Sequence, residues 1–171
     1  NRHSLEHLFR ELFGIERVLW LDHGALEGDD TDGHIDMLAR FCDAGTIAYS
    51  QCPDAEDNNH PGLSAMETQL RGFRDRNGQP YRLVALPLPR PVYDTAGRRV
   101  PASYANFLVI NGAVLIPVYD DPADDIARKH LAACFPDRDI VPVNCLTLIH
   151  QYGSLHCATM QLPRGVLTLP T

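Results

Sequence analysis

The chain has 171 residues, of which 15 are Lys or Arg and 22 are Asp or Glu, giving a formal net charge of −7. This length fits one domain, or a large piece of one, and a hydrophobic content of 44% is too high for a disordered chain. Because the charge is acidic and no Lys/Arg-rich run occurs, we expect no nucleic-acid partner and no anionic membrane partner. No stretch of about 18 apolar residues could span a bilayer.

The five cysteines show no spacing typical of a redox motif, and their odd number leaves at least one thiol unpaired. A chain of this length needs no disulfide framework, so the sequence predicts a reducing, cytoplasmic location. Four cysteines lie in apolar segments typical of buried, inert thiols: Cys42, Cys52, Cys134 and Cys145. Cys157 follows a loop of small residues instead.

The first 33 residues predict one helix, one strand and a polar loop. Apolar residues at helical spacing indicate a helix over 4–13, which Ser4 would cap and Gly14 would end. The apolar run 18–21 predicts a buried strand. The polar stretch 22–33 contains three glycines and is typical of a loop.

The rest of the chain repeats one order of elements, strand–strand–helix–strand. The first round is predicted over 34–42, 46–52, 63–73 and 81–88, and the second over 104–110, 113–119, 122–134 and 140–143. Asn111-Gly112 between apolar runs is a strong hairpin signal. This order predicts an α/β protein whose units pack against neighbouring copies. Residues 1–33 resemble the end of an earlier unit, so the first copies are expected to be missing.

The segment 27–36 carries five carboxylates and His34 within ten residues. A solvated acidic turn is one explanation. An EF-hand is excluded, because Gly28 and Ala39 would fall at ligand positions 1 and 12 of its loop. A divalent-metal hydrolase would need more ligands than His34 and Asp36. Three other histidines form no recognisable paired motif with them: His60, His150 and His156.

A cation site is the fourth explanation of this segment. His34 and Asp36 are two residues apart at the predicted start of a strand, so their side chains would share one face. A carboxylate on that face can bind a guanidinium through two parallel hydrogen bonds, and a histidine beside it can transfer protons near neutral pH.

A second candidate site is centred on Cys157. Gly153 and Ser154 allow a tight loop, and a cysteine with a distant histidine is a candidate nucleophile because the thiolate is the reactive form. A buried strand cysteine is the alternative that spacing alone leaves open. In extended backbone His156 would point away from Cys157, so His34 is the preferred acid–base partner.

These segments together resemble the agmatine deiminase family of guanidine-modifying enzymes and the related bacterial peptidylarginine deiminases. The similarity follows the family order through nearly the whole chain, in segments 20–21, 27–36, 38–41, 103–107, 111–113, 117–122 and 153–161. The run 151–154 departs from the family, in which it is richer in glycine.

The resemblance implies an α/β fold of the pentein type, a five-fold pseudo-symmetric propeller of ββαβ units. Residues 1–171 would be the C-terminal part of one catalytic domain without its N-terminal blades. By analogy, Cys157 is the nucleophile and His34 is the general acid–base. Asp36 binds the guanidinium, and Asp30 supports that binding. The family's second guanidinium-binding Asp lies in an N-terminal half that has no counterpart in this chain.

The implied reaction hydrolyses a guanidinium to a ureido group and ammonia through a covalent amidino-cysteine, with agmatine converted to N-carbamoylputrescine. Peptidylarginine or free arginine is the alternative substrate, and an inactive or metal-binding remnant of the fold is the rival function. The resemblance implies no metal and no other cofactor. Its expected partners are a small cationic guanidine and either a second copy of the chain or a separate N-terminal chain. The isolated chain is expected to have little deiminase activity.

Overall fold

The computed structural model describes residues 1–29 and 33–166, which form a helix, an extended segment and two ββαβ units. The elements are α1 (Arg2–Phe13), β1 (Ala39–Asp43), β2 (Thr46–Gln51), α2 (His60–Gly72), β3 (Arg82–Pro87), β4 (Val92–Tyr93), β5 (Arg99–Val100), β6 (Leu108–Ile110), β7 (Ala113–Val118), α3 (Ala123–Cys134) and β8 (Asp139–Asn144). Short 3-10 turns lie at Ile35–Met37, Leu148–Gln151 and His156–Ala158.

The two units have the same sheet topology. In the first, β2 pairs antiparallel with β1 and parallel with β3, and α2 makes the crossover between the parallel strands. In the second, β7 pairs antiparallel with β6 and parallel with β8, with α3 as the crossover. The predicted repeat and the α/β class are therefore confirmed.

The central strand β2 is buried on both faces. Ile47 and Tyr49 belong to one core. Three residues at helical spacing on α2 pack into the same core: Leu63, Met66 and Leu70. Ala48, between Ile47 and Tyr49, belongs to the second core instead. Successive side chains of a strand point to opposite faces, so one strand contributes to both cores.

Helix α3 joins the two units. It packs against β8 of its own unit and against β3 of the first unit. Ala127 and Leu131 of α3 share a core with Leu86 of β3. The ring Nδ1 of His130 lies 2.7 Å from the main-chain oxygen of Ala85, also in β3. The second unit therefore covers one face of the first sheet.

The helix predicted over 4–13 is confirmed as α1, and Gly14 ends it in the left-handed conformation at φ 66°. The predicted cap is wrong: the side chain of Asn1 caps the helix by accepting a hydrogen bond from the Ser4 main-chain N–H at 3.0 Å. The strand predicted over 18–21 is also wrong, because this segment pairs with no strand of the described residues. Side chains of other segments form hydrogen bonds to the backbone of residues 18–21. For example, Gln69 Nε2 donates to the Trp20 carbonyl at 2.9 Å.

Two predicted strands are shorter than expected. The strand predicted over 34–42 starts only at Ala39, after a 3-10 turn. The strand predicted over 104–110 is reduced to β6, because residues 103–106 turn and the Ser103 hydroxyl accepts a hydrogen bond from the Ala105 N–H at 3.1 Å. The hairpin of β4 and β5 was not predicted. No helix in the described part of the chain is long and apolar enough to cross a membrane.

The burial of α3 gives the first testable prediction. Leu131 is fully buried, whereas Ile126 on the same helix is 47% exposed. Leu131→Ala should lower the free energy of unfolding by about 2–5 kcal/mol, because it opens a cavity in the core shared by both units. Ile126→Ala, the matched control, should change it by less than about 1 kcal/mol. Equal losses in urea titrations would contradict the packing of α3.

Candidate active site

A cleft of about 290 Å³ lies beside Cys157 and is formed by two distant parts of the chain. The segment before β1 and the C-terminal segment contribute its lining residues: His34, Asp36, Met37, Gln151, Tyr152, Gly153 and Cys157. The structure therefore places three of the predicted site residues, Cys157, His34 and Asp36, in a single cleft.

Asp36 reaches this cleft from the 3-10 turn Ile35–Met37 and not from a strand. The next residue, Met37, is buried, and its carbonyl oxygen accepts hydrogen bonds from the hydroxyls of Ser50 at 2.9 Å and Ser103 at 2.7 Å. These bonds fix the backbone beside Asp36. The expectation that His34 and Asp36 share one face of a strand is wrong, although both line the cleft.

The loop before Cys157 is held from the interior. Ser154 is fully buried, and its hydroxyl lies 2.8 Å from that of Tyr119. Ser154 therefore anchors the loop and does not line the cleft. At Gly153, an added Cβ would lie 3.0 Å from the Cβ of Cys157. The missing side chain thus makes room for the cysteine itself.

Buried hydroxyl groups connect the two parts of the chain that form the cleft. The hydroxyls of Ser50 and Ser103 are 2.8 Å apart. The Tyr119 hydroxyl accepts from the Ser103 N–H at 3.2 Å, donates to the Ser103 carbonyl at 3.1 Å and contacts Ser154. We call Ser50, Ser103, Tyr119 and Ser154 the hydroxyl chain. It extends from β2 of the first unit to the loop that carries Cys157.

Asn106 joins the carboxylate to the thiol. Its Nδ2 donates to Asp36 Oδ2 at 3.1 Å and to Cys157 Sγ at 3.3 Å. Its Oδ1 accepts from the main-chain N–H of His156 at 2.8 Å and of Cys157 at 3.4 Å. Because an N–H needs an acceptor, these bonds fix which end of the amide is directed at Asp36 and the Cys157 sulfur. Sequence reasoning gave Asn106 no role, although a lone Asn in the apolar segment 103–107 was a usable signal.

His156 also contacts Asp36, with its ring Nδ1 2.7 Å from Oδ2. The expectation that His156 points away from Cys157 assumed extended backbone, but His156–Ala158 forms a 3-10 turn. In that turn both side chains reach the same carboxylate oxygen, and the Cys157 thiol donates to it at 3.6 Å. His156 is therefore a second site residue that sequence reasoning dismissed.

The remaining predicted residues are less constrained by the structure. His34 is exposed at the cleft, and its role as the acid–base stays a prediction. Asp30 lies outside the described residues. Within the acidic segment, Glu27 pairs with Arg99 of β5 at 3.3 Å. Across residues 1–29 and 33–166, no group of three or more His, Cys, Asp and Glu side chains could hold a metal ion.

Hydrogen bonds keep Asp36 charged. Partial burial alone would raise the pKa of Asp36, but hydrogen bonds from His156 and Cys157 and the nearby charge of Arg40 hold it below its ordinary value. The Arg40 guanidinium lies 5.0 Å from the centre of the Phe107 ring and donates to the Phe107 carbonyl at 2.9 Å. The cleft thus presents a carboxylate at neutral pH.

Cys157 is the exposed cysteine of the five. Burial raises the pKa of the Cys52 and Cys145 thiols. Burial and the adjacent Cys134 raise the pKa of Cys42 to about 12. The alternative of a buried strand cysteine at 157 is therefore wrong, and the thiol beside the cleft is the one open to a reagent or a substrate.

Residues 1–163 match the family model described as Porphyromonas-type peptidyl-arginine deiminase. An agmatine deiminase of Pseudomonas putida is 32% identical over 183 aligned positions, which cover 97% of this chain and 50% of that protein. A Porphyromonas gingivalis structure provisionally described as an arginine deiminase is 51% identical, with a TM-score of 0.93 over 96% of this chain and 48% of that one. A substrate-bound agmatine deiminase of C. jejuni is 40% identical and has a TM-score of 0.84. The match covers 91% of this chain and 45% of that one.

The two ββαβ units define an α/β protein with an exposed cysteine in a cleft that Asp36 also lines. More narrowly, the chain belongs to the Porphyromonas-type peptidyl-arginine deiminase family. It spans about half the length of the curated relatives it matches.

The exposure of the thiols gives a second prediction. A haloacetamidine carries a cationic amidine and should alkylate Cys157 beside the Asp36 carboxylate. Cys157→Ala should abolish this labelling, whereas each of the four matched variants should retain it: Cys42→Ala, Cys52→Ala, Cys134→Ala and Cys145→Ala. Peptide mass spectrometry locates the label, and a label found mainly on another cysteine would remove Cys157 as the nucleophile.

Proposed function

We propose that this chain supplies the cysteine-bearing part of the active site of a guanidine deiminase, which hydrolyses agmatine to N-carbamoylputrescine and ammonia. One observation carries this proposal: a single cleft contains an exposed thiol and a charged carboxylate 3.6 Å from it, and the buried amide of Asn106 is hydrogen-bonded to both. A carboxylate binds a guanidinium, and a thiolate attacks its carbon.

In the first half of the reaction, the Cys157 thiolate adds to the central guanidinium carbon. His34 donates a proton to one terminal nitrogen, the bond from carbon to that nitrogen breaks, and ammonia leaves. The product is an amidino-thioether on Cys157 that still carries the alkyl chain of the substrate. The neutral His34 left behind is then able to accept a proton.

In the second half, His34 takes a proton from water as the oxygen adds to the amidino carbon. The carbon–sulfur bond breaks, the ureido product leaves, and Cys157 returns as the thiolate. Each turnover consumes one guanidinium substrate and one water and releases one ureido compound and one ammonium ion, which takes up the proton that the added hydroxyl loses when the carbon–sulfur bond breaks. The protonated His34 is ready for the next cycle, so the steps need no redox partner.

Asp36 holds the substrate in this mechanism. Its depressed pKa keeps it ionised at neutral pH, so it pairs with the guanidinium and keeps the positive charge close to the sulfur. The substrate cation in turn favours the thiolate over the thiol. Asp30 is proposed to support this binding from the acidic segment.

Peptidylarginine or free arginine is the second candidate substrate. The family model is described for peptidyl-arginine deiminases, and the structure at 51% identity is described as an arginine deiminase. Cys157 at the cleft is exposed, so a substrate longer than agmatine could also approach it. The reaction at the guanidinium is the same for each of these substrates.

We also propose that the two ββαβ units are part of a five-fold pentein propeller. The matched relatives are about twice as long as this chain, and the units already pack against each other through α3. In such a ring a second carboxylate from another part would face Asp36. Residues 1–171 alone should therefore release ammonia from agmatine much more slowly than the agmatine deiminase of Pseudomonas putida assayed beside them.

A third prediction tests the binding role of Asp36. In a Cys157→Ala background, which prevents turnover, Asp36→Asn should weaken agmatine binding by about ten- to hundred-fold, the equivalent of one charge-assisted hydrogen-bond contact. Asp54→Asn removes an exposed carboxylate outside the cleft and should leave the dissociation constant unchanged. Calorimetric titrations in which the two variants lose affinity equally would refute the assignment.

A fourth prediction tests the reaction itself. Acid-quenched incubation of the intact protein with agmatine should yield a Cys157 peptide heavier by the substrate minus ammonia, together with free ammonia. Cys157→Ser should give neither product. Parallel incubations with arginine and with a blocked arginine peptide compare free arginine and peptidylarginine with agmatine as substrates, by the amount of adduct and of ammonia formed. The incubations are long enough to detect a single turnover by residues 1–171, which are expected to react slowly. If none of the three substrates then forms an adduct or releases ammonia, the proposal that the chain is part of a deiminase is wrong.

A further inference from the structure

Tyr152 occupies a backbone conformation that tyrosine disfavours, directly beside the cleft. Its φ is 64°, in the left-handed region, where it ends the 3-10 turn Leu148–Gln151. A side chain other than that of Gly, Asn or Asp is strained there. Residues held in such conformations are concentrated at functional sites, and Tyr152 lines the cleft that also contains Asp36 and Cys157.

The contacts of Tyr152 indicate what its ring can do. The guanidinium of Arg98 lies 5.7 Å from the ring centre, within the range of a cation–π contact. Arg98 is held by Asp94, to which its Nε donates at 2.8 Å. One guanidinium of the protein therefore already lies against this ring, and its charge is neutralised by an adjacent carboxylate, which limits its repulsion of a cationic ligand.

We propose that Tyr152 is a specificity-determining residue whose ring forms an aromatic wall of the cleft for the guanidinium-bearing end of the substrate. This inference rests on the proposed function and deepens it. Asp36 supplies the charge that pairs with the guanidinium, and the ring supplies a flat apolar surface for the planar cation and its first methylene groups.

The methylene groups of the substrate would keep their contact with the ring in the transition state, so the wall contributes to the stability of both states. Removing the ring should therefore raise KM while leaving kcat nearly unchanged. Loss of one cation–π contact corresponds to about 5- to 30-fold weaker binding. A merely structural role in the loop would displace Cys157 and lower kcat.

The test compares variants that keep the backbone with variants that keep the ring. Glycine and asparagine tolerate positive φ, so Tyr152→Gly and Tyr152→Asn should both weaken agmatine binding by about 5- to 30-fold in the Cys157→Ala background. Tyr152→Phe keeps the ring and should bind within about twofold of the parent. Asp120, outside the cleft, also has a positive φ of 55°, so Asp120→Gly is the matched backbone control and should bind as the parent does.

Each result of these titrations is decisive. The aromatic wall is supported if Tyr152→Gly and Tyr152→Asn bind agmatine more weakly than the parent while Tyr152→Phe does not. Parent-like binding by Tyr152→Gly and Tyr152→Asn, or an equal loss with Tyr152→Phe, overturns it while leaving the deiminase proposal intact. If the Cys157→Ala parent binds neither agmatine nor a blocked arginine amide, the proposed function fails, and the aromatic wall fails with it.

Discussion

Buried hydrogen bonds around Ser103 hold the cleft together. The hydroxyl chain ties β2 to the carbonyl of Met37 on one side and to the loop before Cys157 on the other. Each bond contributes only about 0.5–1.5 kcal/mol net, but a buried partner left unpaired costs about 1–3 kcal/mol. If either the segment at Met37 or the loop before Cys157 moved, buried polar groups in both segments would therefore lose their hydrogen-bond partners. The distance between Asp36 and Cys157 therefore depends on this interior network as well as on the hydrogen bonds that Asn106 makes to both residues.

The electrostatics of the cleft follow from the same arrangement. Asp36 accepts hydrogen bonds from His156 and Asn106, and a fixed guanidinium, that of Arg40, lies nearby. Arg40 is hydrogen-bonded to the Phe107 carbonyl and stacked on the Phe107 ring, and these two contacts fix the position of its charge. A net acidic chain with a half-buried, ionised carboxylate at the cleft favours a cationic ligand.

Sequence reasoning predicted the elements whose bonds are local or periodic. Helices α1, α2 and α3 and the strands of the β1–β2 and β6–β7 hairpins follow from apolar spacing and from Asn111-Gly112. It failed at Ile35–Met37 and at His156–Ala158, where the backbone is fixed by Ser50, Ser103 and Asn106 from distant segments. No local pattern encodes such partners. Spacing paired His34 with Asp36 and favoured His34 as the partner of Cys157, the family resemblance assigned the three residues to one site, and the role of Asn106 required the fold.

The position of α3 has a consequence for how such a repeat can be assembled. By sequence α3 belongs to the second ββαβ unit, yet its buried residues cover the sheet of the first. Helix α3 also packs on its own sheet, so one core is shared by two repeats of the sequence. A single unit cut at the sequence boundary would expose one face of its sheet, so copies can be added to the array only if each new helix shields the sheet before it. In an array built this way, the last sheet always needs one further partner, a requirement that closing the array into a ring would satisfy.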